Sequence, residues 1–168
     1  MGISAGAGSG PVSERLENVI GDEDCLSSLF SAYGAGCSHS NKTDLEVQLD
    51  LASSSYDWLL SKNIVLAGDS CGLAAYLMLT RPTNLIKTYP TIAASGAIRL
   101  KDKNYTVGKV NYIPKKLNYI ENFYKDKPQK QCFVCPSTNE SELDKNVHHA
   151  LDLWLIDRSF RIFQLNNQ

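Results

Sequence analysis

The stretch at residues 63–80 constrains the fold most, because its hydropathy pattern changes twice within a short distance. Residues 63–67 (NIVLA) are a brief apolar run, which predicts a buried strand. Residues 68–72 (GDSCG) combine two glycines with Asp and Ser, which is typical of a tight turn. Residues 73–80 (LAAYLMLT) are apolar and end at Arg81-Pro82, which predicts a helix that proline stops. A strand, a sharp turn and a helix are therefore expected in succession.

Helix and strand patterns alternate through the rest of the chain. Apolar and polar residues alternate at residues 44–51, for example, which indicates a half-buried strand. The predicted helices are residues 13–24 (ending near Gly21), 52–62, 73–80 and 114–125. The predicted strands are residues 26–35, 44–51, 63–67, 91–100, 104–107 (a hairpin with the preceding strand), 131–135 and 151–156. A chain of 168 residues suffices for one compact domain. We expect a single α+β domain over residues 13–168, with residues 1–12 as a flexible tail.

Charge and cysteine content argue against several classes of protein. Seventeen Lys and Arg face eighteen Asp and Glu, so no excess of positive charge is available for a phosphate backbone. No apolar run approaches the roughly 20 residues that span a membrane, and the N-terminus lacks a secretion-signal pattern. Five cysteines, an odd number, are not typical of a disulfide scaffold. We therefore expect reduced thiols, a cytoplasmic location, and no nucleic-acid or membrane partner.

Ser70, in the middle of the 68–72 turn, is the strongest candidate for chemistry. A serine at a helix N-terminus has an exposed hydroxyl, and the N–H groups around it lack partners within the helix. The N–H groups of Asp69, Ser70 and Cys71 would then face the charge that develops on a substrate carbonyl. This arrangement predicts an acyl-transfer nucleophile with an oxyanion hole. The alternative is a serine that only caps the helix.

A serine nucleophile requires a base, and the sequence offers histidine or lysine. The G-x-S-x-G pattern is shared with the nucleophile elbow of α/β-hydrolases, in which an acid and then a histidine follow the serine. Asp144 followed by His148 or His149 satisfies that order, which leaves an esterase as an alternative. However, Asp144 is too close to these histidines to come from a separate loop, no His-Gly-Gly loop precedes Ser70, and the chain is short for that fold. Lysine is therefore the preferred base.

Four stretches between residues 64 and 143 carry a resemblance that points to the same base. They are IVLAGDS at 64–70, IAASGAIRL at 92–100, VGKV at 107–110, and FVCP at 133–136 followed by Asn139 and Leu143. In this order and nearly in register, they resemble the proteolytic domain of Lon-type proteases. That family has a similar Gly-Asp-Ser turn, then V-A-M-T-G-E-I-T-L, I-G-G-V/L and V-I-P-x-x-N-x-x-x-L. The resemblance implies a Lon-like fold and a Ser-Lys dyad.

The resemblance places the lysine on the helix after VGKV, directly before an aliphatic residue, which here is Lys116 before Leu117. Helical geometry favours the same lysine. At about 100° per residue, Lys116 lies at the edge of the apolar face formed by Leu117, Ile120, Phe123 and Tyr124, whereas Lys115 points toward solvent. Partial burial lowers the pKa of an amine, as a base requires. By resemblance to the family's threonine, the Ser95 hydroxyl orients this amine; the alternative is an ordinary strand serine.

The sequence departs from the Lon pattern at several positions. Ala97 stands where the family usually has an acidic residue, Cys71 replaces a small alanine, and extra residues follow Val110. These departures keep open a binding module that retained the fold without activity, and they keep Lys115 open as the base. Cys71 is itself a second candidate nucleophile, activated by the helix N-terminus.

Two further cysteines have a spacing that is found in metal sites. Cys132 and Cys135 form a C-x-x-C with His148 downstream, which resembles half of a zinc site. Residues three apart on a strand point to opposite faces, however, so we expect two buried cysteines and no metal.

The predicted function is therefore a serine endopeptidase with Ser70 and Lys116 as its dyad, Ser95 orienting the amine, and no cofactor. Because no ATPase motif occurs in the chain, we expect a flexible peptide or protein segment as substrate, by self-cleavage or within a larger assembly. The small birnavirus polyprotein-processing proteases also combine a Ser-Lys dyad with the lack of an ATPase. Residues 4–8 (SAGAG) resemble the small-residue junctions that those enzymes cut.

Overall fold

The computed structural model of the chain describes residues 2–6, 8, 10–40, 47–144 and 150–165. Its helices are α1 (Glu14–Glu17), α2 (Glu23–Ser40), α3 (Ser53–Lys62), α4 (Gly72–Thr80), α5 (Thr83–Ile86) and α6 (Ile113–Tyr124), with a 3-10 helix at Ser137–Glu142. Its strands are β1 (Ile3–Gly6), β2 (Gln48–Leu51), β3 (Ile92–Ala94), β4 (Ala97–Lys101), β5 (Asn104–Gly108), β6 (Cys132–Pro136), β7 (Asp152–Ile156) and β8 (Ile162–Gln164). Together they form a mixed α+β domain.

The largest sheet has four strands in the order β3-β6-β7-β8. The pairs β3/β6 and β6/β7 are parallel, and β8 runs antiparallel to β7. Between β3 and β6 the chain forms the antiparallel β4/β5 hairpin and then α6. A helix in this connection is expected, since parallel neighbours need a long crossover.

Helices cover both faces of this sheet. Cys132 and Val134 of β6 belong to a hydrophobic cluster shared with α2 and α4, whereas Phe133 and Cys135 belong to a second cluster shared with α6. Side chains alternate between the two faces of a strand, so the two clusters lie on opposite sides of the sheet. A parallel strand that is buried on both faces is expected to be apolar throughout, as residues 132–136 are.

Helices α2 and α4 approach each other closely because glycine lies at their contacts. A Cβ atom on Gly36 would lie 2.8 Å from both Cβ and Cδ1 of Leu79. A Cβ atom on Gly72 would collide with the Ser28 side chain and lie 3.0 Å from the backbone nitrogen of Ile98. The first residue of α4 is therefore pressed against α2 and β4, which fixes the position of the turn that precedes it.

Several predicted elements are confirmed. Helices α3, α4 and α6 occupy the predicted ranges 52–62, 73–80 and 114–125, and β6 matches the predicted strand at 131–135. The hairpin is also confirmed, with φ of 50° at Asp102 and 66° at Lys103. Positive φ at both central residues is the mark of the type I′ turn that joins two antiparallel strands.

The predicted strand at 26–35 is wrong, because these residues lie within α2. The buried positions of α2, which include Cys25, Leu29, Ala32 and Tyr33, recur every three or four residues along one helical face. Three serines and Gly34 give this stretch a weak helix propensity. Packing of its small residues against α4 outweighs that propensity.

The predicted buried strand at 63–67 is also wrong. Ile64 and Val65 are 42% and 57% exposed, and Leu66 makes an isolated bridge to Ile20. The Leu66 N–H donates to the Val19 carbonyl, and its carbonyl accepts from Gly21 N–H. Residues 63–67 therefore lie mostly at the surface, and within this segment only Leu66 pairs with another residue, Ile20.

Other boundaries differ as well. Residues 3–6, assigned to the flexible tail, form β1 and pair with β2 from Ile3–Leu51 to Gly6–Gln48. The predicted helix at 13–24 is divided between α1 and the start of α2, and the predicted strand at 91–100 is interrupted between β3 and β4. The strand at 151–156 is followed by β8 rather than only by a tail, and part of the predicted strand at 44–51 lies outside the described residues. Among the described helices, none combines the length and apolar character that crossing a membrane would need.

Candidate active site

The turn at 68–72 is tied to the start of α2 by a carboxylate. Gly68 has a φ of 79°, a conformation that glycine adopts without strain. Its N–H donates to Asp22, with nitrogen 2.9 Å from Oδ2 and 3.2 Å from Oδ1. Asp22 Oδ1 also accepts from the Cys25 N–H at 2.8 Å. One side chain therefore holds both the turn and the first turn of α2.

Three N–H groups in the turn remain open. The Gly72 N–H donates to the Asp69 carbonyl at 3.4 Å, and the Leu73 N–H donates to the Gly96 carbonyl at 2.9 Å. Within the described ranges, the N–H groups of Asp69, Ser70 and Cys71 donate to no other residue. Open donors beside a helix start are suited to holding negative charge on a bound oxygen.

Lys116 and Ser95, which are distant in sequence, are in direct contact. Lys116 Nζ donates to Ser95 Oγ across 3.0 Å. Lys116 is half-buried and its neighbour Lys115 is exposed, as helical geometry predicted. Desolvation lowers the pKa of Lys116, while the negative charge of Asp69 acts in the opposite direction. The amine therefore loses its proton more readily than a lysine in water.

Gly96 connects this contact to the serine turn. Its N–H donates to the Ser70 carbonyl at 3.0 Å, and the Ser95 N–H donates to the Val134 carbonyl at 3.1 Å. A Cβ atom on Gly96 would lie 2.9 Å from Leu73 Cδ2 and 3.1 Å from Pro136 Cγ, so only glycine permits this approach. The site thus lies just beyond the carboxyl end of β3, the position where open parallel sheets generally bind ligands.

An ion pair lies on the other side of the turn. Asp69 Oδ2 is 2.7 Å from an Nη atom of Arg99 on β4, and both side chains are partly exposed. The Ser28 hydroxyl donates to the Asp69 carbonyl at 2.6 Å. A cleft of about 570 Å³ opens beside this pair, between α2 and the β4/β5 hairpin. An exposed ion pair adds little stability. The main effect of Arg99 here is therefore to offset the negative charge of Asp69 beside the turn.

Asn139 positions the segment that leads into α6. Its Oδ1 accepts from the Val110 N–H at 3.1 Å, and its Nδ2 donates to the Val110 carbonyl at 2.8 Å. Asn139 is fully buried. Two residues after Val110, Tyr112 has a φ of 65°, and α6 then begins with Pro114 in its first turn. The amide therefore fixes the chain shortly before Lys116.

A scan against models of known protein families found no match to this chain, and a search of curated proteins found none of significant similarity. The geometry of the site is therefore the basis for any functional proposal.

Of the predicted dyad and its orienting serine, the structure brings Lys116 and Ser95 into direct contact, and within the described residues the Ser70 hydroxyl makes no hydrogen bond to Lys116. Ser70 lies half-buried in the turn, and its backbone reaches Ser95 and Lys116 through Gly96. Ala97 is fully buried in the cluster that contains α6. Asp22, Ser28, Arg99 and Asn139 were not singled out as site residues from the sequence. Only Asn139 had a signal there, as one position of the Lon-like pattern.

The other sequence candidates fare differently. The Cys71 thiol is hydrogen-bonded to Cys25 and largely buried, and both effects raise the pKa of Cys71, which disfavours the nucleophilic thiolate. Burial likewise raises the pKa of Cys132 and Cys135 to about 12, and these residues lie in different clusters on opposite faces of β6. His148 and His149, the histidine base candidates, lie outside the described residues.

Proposed function

We propose that the chain is a serine endopeptidase, similar in mechanism and arrangement to the Lon proteolytic domain, in which Ser70 and Lys116 form the dyad. The observation that carries the proposal is the 3.0 Å hydrogen bond from Lys116 Nζ to Ser95 Oγ. Ser95 adjoins Gly96, whose backbone is bonded to that of Ser70. A partly desolvated amine is thereby bonded to the residue next to Gly96, and Gly96 is bonded to the turn that carries a half-buried serine and three open N–H groups.

The first half of the reaction forms an acyl-enzyme. Neutral Lys116 takes the proton of the Ser70 hydroxyl while Ser70 Oγ bonds to the carbonyl carbon of the scissile peptide. The N–H groups of residues 69–71 stabilise the oxyanion. The Lys116 ammonium then gives its proton to the departing amine as the C–N bond breaks. In the second half, water gives a proton to Lys116 and its oxygen bonds to the acyl carbon, the bond to Ser70 Oγ breaks, and the Lys116 ammonium returns the proton to Ser70 Oγ.

Ser95 has a positioning role in this scheme. A neutral amine has two N–H bonds and one lone pair. If one N–H is directed to Ser95 Oγ, as in the observed contact, rotation about the terminal bond is restricted and the lone pair has a defined direction. Catalysis needs that lone pair to face the Ser70 hydroxyl.

We also propose flexible peptide or protein segments as substrates, with no cofactor.

The esterase alternative has less support from the fold. The nucleophile elbow of α/β-hydrolases requires a strand directly before the serine. Residues 63–67 supply only the isolated bridge at Leu66. Ser70 therefore lacks the strand that the elbow requires, and the strand that the Lon-like pattern implied at residues 64–67 is absent as well.

The decisive test compares point variants in cleavage of a fluorescently labelled unfolded casein. We expect Ser70→Ala and Lys116→Arg to fall to background, because members of a dyad act as a unit and a guanidinium keeps its proton. Ser95→Ala should lose about tenfold to a hundredfold in rate, the cost of one hydrogen bond to the amine. Lys115→Ala is the matched control and should keep its activity.

Circular dichroism establishes that each variant is folded. Cleavage that survives in folded Ser70→Ala, or that depends on Lys115 rather than Lys116, contradicts the proposed dyad. A folded wild-type chain that neither cleaves casein nor reacts with a fluorophosphonate probe would be a binding module instead.

A further inference from the structure

Two cysteines beside Ser70 have their sulfur atoms in contact. Cys71 directly follows Ser70 and caps α4, and Cys25 lies in the first turn of α2. Their Sγ atoms are 3.6 Å apart, and both are free thiols. Cys25 is only 1% exposed, whereas Cys71 is half-buried. The pair thus has one sulfur fixed in the core and one on a partly buried residue that packs against that core directly after Ser70.

We propose that Cys25 and Cys71 are a peroxide-sensitive pair, whose oxidation to a disulfide reversibly lowers the activity of Ser70. The formation of the disulfide depends only on the contact between the two sulfurs. The effect on activity rests on the proposed function.

The chemistry requires a hydroperoxide as oxidant. A thiolate of the pair attacks the O–O bond of hydrogen peroxide, which forms a sulfenic acid and releases hydroxide, protonated to water. The neighbouring thiol then displaces the sulfenic oxygen as a second water, and the S–S bond forms. In total the two thiols lose two electrons and two protons, and these reduce the peroxide to two molecules of water.

Local environment favours this pair over Cys132 and Cys135. The hydrogen bond with the Cys71 thiol lowers the pKa of Cys25, so Cys25 ionises to a thiolate more readily than an ordinary buried cysteine. Burial raises the pKa of Cys132 and Cys135 to about 12, which keeps those thiols protonated. Because Cys71 is partly exposed, a molecule as small as hydrogen peroxide has a route to the pair.

The expected loss of activity follows from geometry. A disulfide bond is about 2.05 Å long, so the sulfurs must approach by roughly 1.5 Å. Cys25 is held in the core, and its N–H is bonded to Asp22. Much of the movement must therefore fall on Cys71, whose N–H is one of the three open donors. A displacement of about 1 Å in a catalytic group reduces rate by about a hundredfold.

The experiment treats the full chain with hydrogen peroxide, alkylates the remaining thiols and identifies linked peptides by mass spectrometry. Casein cleavage is measured on the same samples. We expect a Cys25–Cys71 crosslink, a tenfold to hundredfold loss of activity, and recovery of both with dithiothreitol. Cys25→Ala should have wild-type basal activity and keep it in peroxide. Cys25→Ser serves the same purpose if the alanine variant does not fold.

Each alternative result is informative. Absence of the crosslink at peroxide doses that oxidise Met78 would overturn the proposal. So would a crosslink without loss of activity, or an equal loss in Cys25→Ala. A reduced wild-type chain that cleaves nothing contradicts the peptidase function, and the crosslink then decides the thiol chemistry by itself.

Discussion

At the scale of single residues, Asn139 acts as a substitute for a strand neighbour of Val110. Its amide accepts from the N–H and donates to the carbonyl of the same residue, as a paired strand would. Both bonds are buried, so the two backbone groups have no access to water if the amide is removed. Buried polar groups left without partners are costly.

We predict that Asn139→Ala lowers the free energy of unfolding by about 2–4 kcal/mol, because two buried backbone groups lose their partners. It should also reduce kcat more than it changes KM, since Lys116 loses its fixed position while the cleft is unchanged. Urea unfolding and casein kinetics measure these effects. Asn118→Ala, at an exposed position on α6, is the control. A fully active, fully stable Asn139→Ala would contradict the positioning role.

The charges around Lys116 predict the pH dependence. Lys116 works as a base when neutral, so kcat/KM should rise as pH rises through its lowered pKa. Asp69 stabilises the ammonium, so Asp69→Asn should move this rise to lower pH. The Arg99 guanidinium, 2.7 Å from Asp69, partly neutralises that carboxylate. Arg99→Gln should therefore strengthen the effect of Asp69 on Lys116 and move the rise in kcat/KM to higher pH. pH–rate profiles of the variants measure both shifts.

Lys115→Gln, which removes an exposed charge from the same helix, should leave the profile in place. Shifts of Asp69→Asn and Arg99→Gln in the same direction are incompatible with a lysine base near Asp69. A rise centred near the ordinary histidine range in wild type would also contradict it.

Sequence alone predicted that Lys116 is more buried than Lys115, because the apolar face of α6 is encoded by residues of that helix. It did not show the roles of Asp22 and Asn139. Their partners, Gly68 and Val110, are 46 and 29 residues away, and nothing local to either side chain indicates them. Bonds of this kind depend on how helices and strands are arranged, which periodicity does not report.

At the scale of elements, α2 shows where local signals fail. Glycine and serine reduce helix propensity, and the stretch was therefore predicted as a strand. Gly36 is also what allows α2 to lie against α4, because a Cβ atom there would lie 2.8 Å from Leu79. By contrast, α4 and α6 were predicted well because a proline and an apolar face mark each of them. Small residues that serve a helix–helix contact lower the helix propensity of their segment, so the sequence underestimates such a helix until its partner is known.

We predict that Gly36→Val destabilises the fold by about 1–3 kcal/mol, because its branched side chain overlaps Leu79 across the α2/α4 contact. The free energy of unfolding in urea measures this. Ser38→Val, at an exposed position on the same helix, controls for the helix propensity of valine. Equal effects of the two changes would mean that the contact is not tight.

At the scale of the whole molecule, the candidate dyad spans both hydrophobic clusters. The Ser70 turn belongs with α2 and α4 on one face of the sheet, and Lys116 is carried by α6 on the other. Lys116 reaches Ser95 just beyond the end of β3, and the adjacent Gly96 is bonded to the Ser70 carbonyl. The sequence predicted the mixed α+β class but not this division, because the order of the strands in the sheet is not visible in hydropathy.

The N-terminal strand is part of the same fold. Ile3 and Ala5 pack against the larger cluster, and β1 pairs with β2, whose Leu49 and Leu51 are fully buried. We predict that deleting residues 1–6 lowers the free energy of unfolding by about 2–4 kcal/mol, mainly through the lost burial of Ile3. Urea unfolding measures it. Gly6→Ser, where an added Cβ meets nothing within 4 Å, should be neutral. An unchanged stability after the deletion would show that β1 contributes nothing.

The pairing of β1 has a consequence for self-processing. A protease binds its substrate as extended backbone with free hydrogen-bonding groups, and those of residues 3–6 are engaged with β2. Scission within SAGAG by this chain or by a second copy therefore requires a local opening that releases β1. Its rate would follow the population of the opened form and would increase at denaturant concentrations that leave the rest of the domain intact. Maturation at this segment, if it occurs, would thus report local unfolding rather than the speed of the chemistry.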